Sequence, residues 1–262
     1  MGNVVKILTA TDLHRGKRFY DELTQAVAAH KPDVVALVGD FLDALETIPE
    51  QYSTPEAAGV LSKLTCEEIV FVRGNHEDFD WWNFADAWAK TGRELTALHG
   101  ELFLHGPLAI VGFPCGLGDE TAYIGSREPL PEAPDKWLSK LAKSYGPVMR
   151  TLWLMHEPPT GTPLTVRHGP LSGNPAWNEA LARFSPLLTI SGHDHQSPIS
   201  NRRWYCKVGQ TMCVNLGQSL DGPLHYGLVE AEFADDTPCL PTRMRVRAYP
   251  SGESLDVVGK EE

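Results

Sequence analysis

The sequence predicts an α/β domain built of two packed sheets flanked by helices, and three observations predict it. In the first half, short β-branched runs alternate with amphipathic stretches, the pattern of parallel strands joined by right-handed crossovers. Beyond residue 150, two buried apolar runs flank one helical stretch, and from residue 203 the chain turns all-β. No linker composition near residue 200 supports a split, so residues 1–250 are read as one domain and 251–262 as a polar tail.

Residues 4–10, 33–38 and 68–72 are predicted strands, because Val, Ile, Leu and Phe crowd them as in strands buried on both faces. Between and after them, residues 19–30, 55–64 and 79–90 carry apolar side chains at helical spacing. Residues 95–98, 101–104 and 108–112 follow closely, punctuated by Gly100 and Gly106, which predicts a meander. A Pro/Gly-rich stretch over 114–134 then leads to a helix over 135–145. Residues 151–155 and 187–191 read as buried strands with a helix over 175–183 between them. Residues 203–208, 212–216, 225–233 and 243–249 read as strands. The tail is polar and is expected to fray.

Composition narrows the function. Hydrophobic residues are 42% of the 262, enough for a chain of this length to bury a core without staples. The 34 Asp and Glu exceed the 23 Lys and Arg, giving −11, which argues against broad binding to nucleic acid. The 5 cysteines are odd in number and form no C-x-x-C pair, so they are expected to be free thiols of a reducing cytoplasm. A Cys206–Cys213 bridge across a hairpin is the alternative. No signal-peptide pattern occurs, and no run approaches the ~20 apolar residues of a membrane span. The expectation is a cytoplasmic protein with no membrane partner.

Each of five predicted core strands runs into residues that can ligate metal. The first leads to Asp12 and His14, the second to Asp40 and Asp43 and the third to Asn75 and His76. The fourth ends at His156 and the fifth leads to His193 and His195. In α/β sheets the carboxyl ends of parallel strands meet at one edge, where ligands bind. On an extended segment, Asp12 and His14 point the same way and can chelate one ion. His193 and His195 have Cα atoms ~6–7 Å apart if extended and could serve one ion each of a pair ~3.5–4 Å apart. Asp40 has two oxygens and can bridge. Gly39, Gly74 and Gly192 allow tight turns just before these ligands. Singly, Asp12 and Asp40 suit helix N-caps, Asn75 a turn and His156 the core; their conjunction at strand ends is what points to metal. Mixed imidazole and carboxylate ligands suit Mn, Fe, Zn or Co. No zinc-protease helix is possible, since Asp80 and Thr160 stand where H-E-x-x-H needs its second His; nucleophile-elbow, Walker and dinucleotide motifs are absent.

The set D-x-H, G-D-x-x-D, G-N-H-E, a lone His and G-H-x-H, in this order over residues 4–217, resembles the calcineurin-like metallophosphoesterase superfamily. The resemblance implies a four-layer α/β/β/α sandwich, with two mixed sheets inside, and two divalent or trivalent transition-metal ions. It also implies that Asp12, His14 and His195 hold one ion, that Asn75, His156 and His193 hold the other, and that Asp40 bridges them. His76 would be the general acid and Asp43 its orienter. Water activated between the ions would attack phosphorus in line, and no covalent nucleophile is needed.

Departures from family branches narrow the resemblance. Ala44 and Leu45 follow Asp43 where protein Ser/Thr phosphatases carry Arg-Gly, and Phe41-Leu42 stand where purple acid phosphatases carry a Tyr ligand. No appended domain or basic surface suggests a nuclease. A small phosphoester is the expected substrate, with diesters favoured by the missing Arg and a phosphomonoester as the alternative. Asn75, Arg15, Arg167 and His168 are candidate substrate contacts, the last two in a loop over residues 157–177 expected to overhang the cleft. Trp81 and Trp82 suit core packing better than stacking on a base, and Glu77 and Asp194 are expected to point away from the metals. A non-catalytic binding module on the same fold is the reading from another class; His76, which metal binding does not need, favours hydrolysis.

Overall fold

The computed structural model describes residues 3–43, 48–77, 80–114, 134–165, 173–234 and 240–258. The first sheet is built of β1 (Asn3–Ala10), β2 (Val34–Val38), β3 (Glu68–Val72) and β4 (Thr96–Ala97), joined by three late strands: β11 (Tyr226–Phe233), β12 (Arg243–Tyr249) and β13 (Ser254–Val258). Its order is β13-β12-β11-β1-β2-β3-β4. The second sheet holds β5 (Glu101–His105), β6 (Leu108–Phe113), β7 (Leu152–Met155), β8 (Leu188–Ser191), β9 (Tyr205–Val208) and β10 (Thr211–Asn215), in the order β5-β6-β7-β8-β10-β9. β1, β2 and β3 run parallel, as do β6, β7 and β8.

Three apolar layers hold four structural ones together. Side chains alternate across a strand, so Ile7, Ala36 and Val70 face the second sheet, where they meet Ile110, Leu154 and Ile190. Their chain neighbours Leu8, Val35 and Ile69 face outward, towards α1 (Lys17–His30), α2 (Thr54–Leu61) and α3 (Trp81–Ala89). Val111 and Trp153 pack on the other side against α4 (Pro134–Tyr145) and α5 (Pro175–Phe184). The central strands β2, β3, β6, β7 and β8 are covered on both faces, which is why they read as unbroken apolar runs, whereas outer strands such as β12 and β9 alternate buried or half-buried with exposed residues. The architecture is the expected one: two mixed sheets flanked by helices.

Two expectations are corrected. The meander over residues 95–112 is divided between the sheets: β4 pairs parallel to β3 and closes the first sheet, while β5 pairs antiparallel to β6 and opens the second. Three short runs of similar composition carry no signal for the sheet each will join; the crossing is shaped by contact, since a Cβ on Gly112 would lie 2.2 Å from Leu98 Cβ. The polar tail is also more ordered than expected, because β13 pairs with β12. Arg245 donates to both oxygens of Asp256 at 2.6 and 3.0 Å across that edge. Alternation of Leu255 and Val257 with polar neighbours is a strand signal that overall polarity conceals.

Cys206 stands opposite Cys213 on β9 and β10, and both are free thiols. Among the described residues, no helix is long and apolar enough to cross a membrane.

Candidate metal centre

The carboxyl ends of β1, β2, β3, β7 and β8 meet across both sheets and deliver the seven ligand candidates to one cleft. Ligand atoms of Asp12, His14, Asp40 and His195 lie within 4.8 Å of one another, as do those of Asp40, His156 and His193. Asp40 belongs to both groups, the place a bridging ligand must take. Asn75 Oδ1 lies 2.9 Å from His193 Nδ1, beside the second group. His76 stands next to the first, its ring centroid 4.7 Å from that of His14. Its Nδ1 is 2.9 Å from Asp43 Oδ1, a distance that a shared proton fills.

The local backbone explains how so many side chains reach one point. Asp12, His14, Asp40 and His193 all take left-handed backbone, with φ between 47° and 66°. Such angles cost non-glycine residues about 1–3 kcal/mol each, and they cluster where function demands them. Asp12 and His14 therefore converge through successive turns and not along an extended strand. Pairing continues past the strand ends to hold these turns: Asp12 N–H donates to Gly39 O at 3.0 Å and His14 N–H to Asp40 O at 2.8 Å. Only Gly39, at φ 86°, needs a glycine for its turn. Gly74 and Gly192 are required for space: a Cβ would lie 2.0 Å from Asp40 Oδ1 at the first and 2.6 Å from Asp12 Oδ2 at the second.

Burial makes the charges costly unless they are matched. Asp12, His14 and His156 are 0% exposed and Asp40 2%. Burial would raise the Asp40 carboxyl, but His156, His14 and His76 outweigh it and hold it well below the ordinary range. Asp12 is lowered in the same way, burial being overcome by His195. Burial depresses His156, yet Asp40 and Asp12 reverse this and push it up to about 10. His193, buried and beside His156, is lowered. The two carboxylates thus call for positive charge in the space between these rings.

A metal ion fits that demand. His156 Nδ1 donates to Val38 O at 2.8 Å, so the other ring nitrogen, Nε2, is the one turned to the cleft and able to ligate once its proton is displaced. Nε2 stands 3.2 Å from Asp40 Oδ2, and against the effect of burial the same carboxylate raises His156, so in the absence of an ion a proton occupies the space between them. A metal cation taking the place of that proton would be ligated by both atoms. His14 Nε2 and His195 Nε2, 3.1 Å apart, present a second pair of donors turned to one point. Imidazole and carboxylate in this ratio are the donors of zinc, iron and manganese sites.

Other expected residues fall in different places. The Arg15 guanidinium is committed away from the ligands, donating from Nη1 to Thr54 Oγ1 at 2.8 Å and from Nη2 to Gln51 Oε1 at 3.1 Å. Arg167 and His168 lie outside the described residues, as does the middle of the loop over 157–177. Trp81 packs against Phe71 and Phe84, whereas Trp82 is 68% exposed. Asp194 accepts from the backbone N–H and hydroxyl of Ser197.

The supporting roles of several residues had no signal in the sequence, although Glu77 stands within the G-N-H-E motif. The buried Glu77 carboxylate accepts from the backbone N–H groups of Asp40, Leu42 and Gly74 at 3.0, 2.9 and 2.5 Å, tying the β2 and β3 turns together. Burial, with Asp40 nearby, raises it to about 7. Asn215, at the end of β10, donates to Gly192 O and Asp194 O and so shapes the turn that carries His193. Thr11 donates to Val38 O and lies 2.9 Å from Asp12 Oδ2.

Residues 5–197 match the family model described as calcineurin-like phosphoesterase. No protein of curated function matches the sequence. Among solved structures, the chain is similar to a dimetal phosphatase from Danio rerio (15% identity, 98% of this chain and 99% of that one, TM-score 0.60). It is also similar to the calcineurin-like phosphoesterase YfkN from Bacillus subtilis (12% identity, 100% and 94%, TM-score 0.58). A protein of Thermus thermophilus, TT1561, is a third (15% identity, 86% and 94%, TM-score 0.58). At these identities the likeness concerns the fold.

Proposed function

The chain belongs to the calcineurin-like phosphoesterase family and is a metal-dependent phosphoesterase; from that premise we propose that it hydrolyses small phosphodiesters by in-line displacement at two metals, with His76 as general acid. The observation that carries this reading is the Asp43–His76 pair standing beside ligand groups that share Asp40. His14, Asp43 and His76 also stand close enough to hold an ion, but the 2.9 Å bond that engages His76 Nδ1 with Asp43 favours the acid role over that one. Two ions, when bound, would supply Lewis acidity and an activated water for attack on phosphorus.

The chain's own residues do the rest. Asp12, His14 and His195 would hold one ion, and Asn75, His156 and His193 the other, with Asp40 between them. His76 Nδ1–H donates to Asp43, which leaves Nε2–H to donate to the departing oxygen. Burial lowers this imidazole, but the hydrogen bond to Asp43 and the charges of Asp40 and Asp43 raise it overall, favouring the protonated form an acid needs. The side chain is 14% exposed, so solvent can restore its proton. The preference for diesters rests on the engagement of Arg15 with Thr54, Gln51 and Asp80, which leaves it no share in clamping a dianionic monoester.

The test is hydrolysis of bis-p-nitrophenyl phosphate and p-nitrophenyl phosphate by protein loaded with Mn²⁺. Turnover of the diester should exceed that of the monoester, and His76→Ala should lose rate at full metal content. Metal-filled protein inactive on both esters would overturn the reading. So would retention of configuration at phosphorus, which in-line displacement by water forbids.

A further inference from the structure

Behind His76 the hydrogen bonding does not stop at Asp43. Gln51 Nε2 donates to Asp43 Oδ2, the oxygen not used by His76. Gln51 Oε1 in turn accepts from Arg15 Nη2 at 3.1 Å. Arg15 is itself braced by Thr54 Oγ1 at 2.8 Å and by Asp80 Oδ2 at 3.5 Å. Resting on the reading of His76 as acid, we infer that Gln51, with Arg15 behind it, is a positioning residue that locks the Asp43–His76 pair in its donating orientation.

The chemistry of the three groups leaves little freedom. A guanidinium only donates and a carboxylate only accepts. A bridge between them must accept at one end and donate at the other, which a primary amide does. Turning the Gln51 amide over would set its NH₂ against Arg15 and its oxygen against Asp43, two repulsive contacts in place of two bonds. Arg15 therefore fixes the sense of the amide, and the amide fixes the plane of the carboxylate. With one oxygen held by Gln51, the other stays aimed at His76 Nδ1.

The backbone pins Gln51 as firmly as the side chains do. Gln51 forms a bridge with Gly16, flanked by bonds from Lys17 N–H to Glu50 O at 2.9 Å and from Tyr52 N–H to Arg15 O at 2.8 Å. Immediately afterwards, Ser53 and Glu56 form a capping box that starts α2. The segment carrying Gln51 is thus attached to the turn that carries His14 and Arg15, so metal ligand and acid share one scaffold.

Positioning matters in one step. As the P–O bond breaks, its electron pair moves to the leaving oxygen and the Nε2 proton of His76 follows. His76 is left neutral with its Nδ1–H still donated to Asp43, and a proton from solvent restores Nε2. A general acid of this kind contributes about 10²–10⁴ in rate when aligned. Alignment counts most when the leaving oxygen is strongly basic and least when it leaves readily.

The experiment follows kcat across diaryl phosphates from p-nitrophenyl to unsubstituted phenyl, with Mn²⁺-loaded wild type, His76→Ala, Gln51→Met, Arg15→Met and the double variant. Gln51→Met keeps the length of the side chain and the backbone bridge but drops both bonds. The nitrophenyl-to-phenyl rate ratio should rise tenfold or more in Gln51→Met and several-fold in Arg15→Met. The double variant should match Gln51→Met, because both residues act through one chain. Metal content and melting temperature identify any variant that has merely lost its fold, and the remaining one then carries the test. Equal loss on both esters, no loss on either, or additive effects in the double variant would each overturn the inference. If His76→Ala itself leaves the ratio unmoved, it is the reading of His76 as acid that fails, and that outcome is separate from the behaviour of Gln51.

Discussion

Gly74 is the position where one methyl group should do most harm. Its added Cβ would lie 2.0 Å from Asp40 Oδ1, 2.6 Å from Asp40 N and 2.7 Å from Asp40 Cγ. Ordinary contacts between heavy atoms begin near ~3.5 Å, so a shift of more than ~1 Å is forced. One of the three atoms is backbone and the other two belong to a short carboxylate already fixed by its bonds, so no long flexible chain end can absorb the strain. If the carboxylate swings away, it loses the His76 N–H it accepts at 2.9 Å and its place between the two ligand groups. If the β3 turn retreats instead, the Glu77 bonds to Asp40, Leu42 and Gly74 stretch together. Losing one or two such charge-assisted bonds costs about 2–4 kcal/mol, and a ~1 Å misplacement of the reacting groups costs about 10²-fold in rate. Gly74→Ala should therefore melt at lower temperature, bind less metal and turn over bis-p-nitrophenyl phosphate about a hundredfold more slowly. Calorimetry, metal analysis and kinetics on the one preparation read all three. A Gly74→Ala protein with full metal and a rate within threefold of wild type would refute the reasoning.

Gly59 provides the opposite case: it sits inside α2 with open space where a Cβ would be, so Gly59→Ala should stabilise by about 0.5–1 kcal/mol, read as a higher denaturant midpoint; a lower midpoint would contradict it. Chelation should destabilise, since ions at a hundred times their dissociation constant add about 2.7 kcal/mol to the folded state, roughly 5–10 °C in melting for a chain of this size. An unmoved melt after metal analysis shows removal would count against the ligand assignment. His76 is raised in part by Asp43, and an acid is active below its pKa, so its rate is lost as pH rises through that value. Asp43→Asn removes the charge and should move the alkaline limb of the rate profile to lower pH; an unshifted limb would exclude Asp43 as the orienter.

The ligand set was legible because each member follows an apolar β run, and the ends of parallel strands converge whatever lies between them. The reason first offered for Asp12 and His14, a shared face on an extended segment, does not describe this backbone. Left-handed angles at Asp12, His14, Asp40 and His193 are imposed by tertiary bonds that no local pattern reports. Glu77 and Asn215 were hidden for a similar reason: they act by accepting from or donating to the backbone, which any sequence supplies. Gln51 is a still clearer case, a lone polar residue whose partners at 15 and 43 become neighbours only once the turns have formed. The ends of the first sheet were also partly concealed: residues 95–98 were read as a strand but carried no signal for the sheet β4 joins, and β13 was hidden by its polar composition.

The position of β1 has a consequence for how the protein comes into being. β1 lies in the interior of its sheet, with β2 on one side and β11 on the other, so Leu8 is paired with Leu228. During synthesis one edge of β1 finds its partner early, while the other must wait for residues more than two hundred positions later. Pairings so distant in the chain close slowly. Through that interval an apolar strand edge stands open to other chains, a recognised route to aggregation in larger proteins. The fold's most central strand is thus its longest-lived kinetic liability, and yield on expression should depend on how quickly β11 arrives.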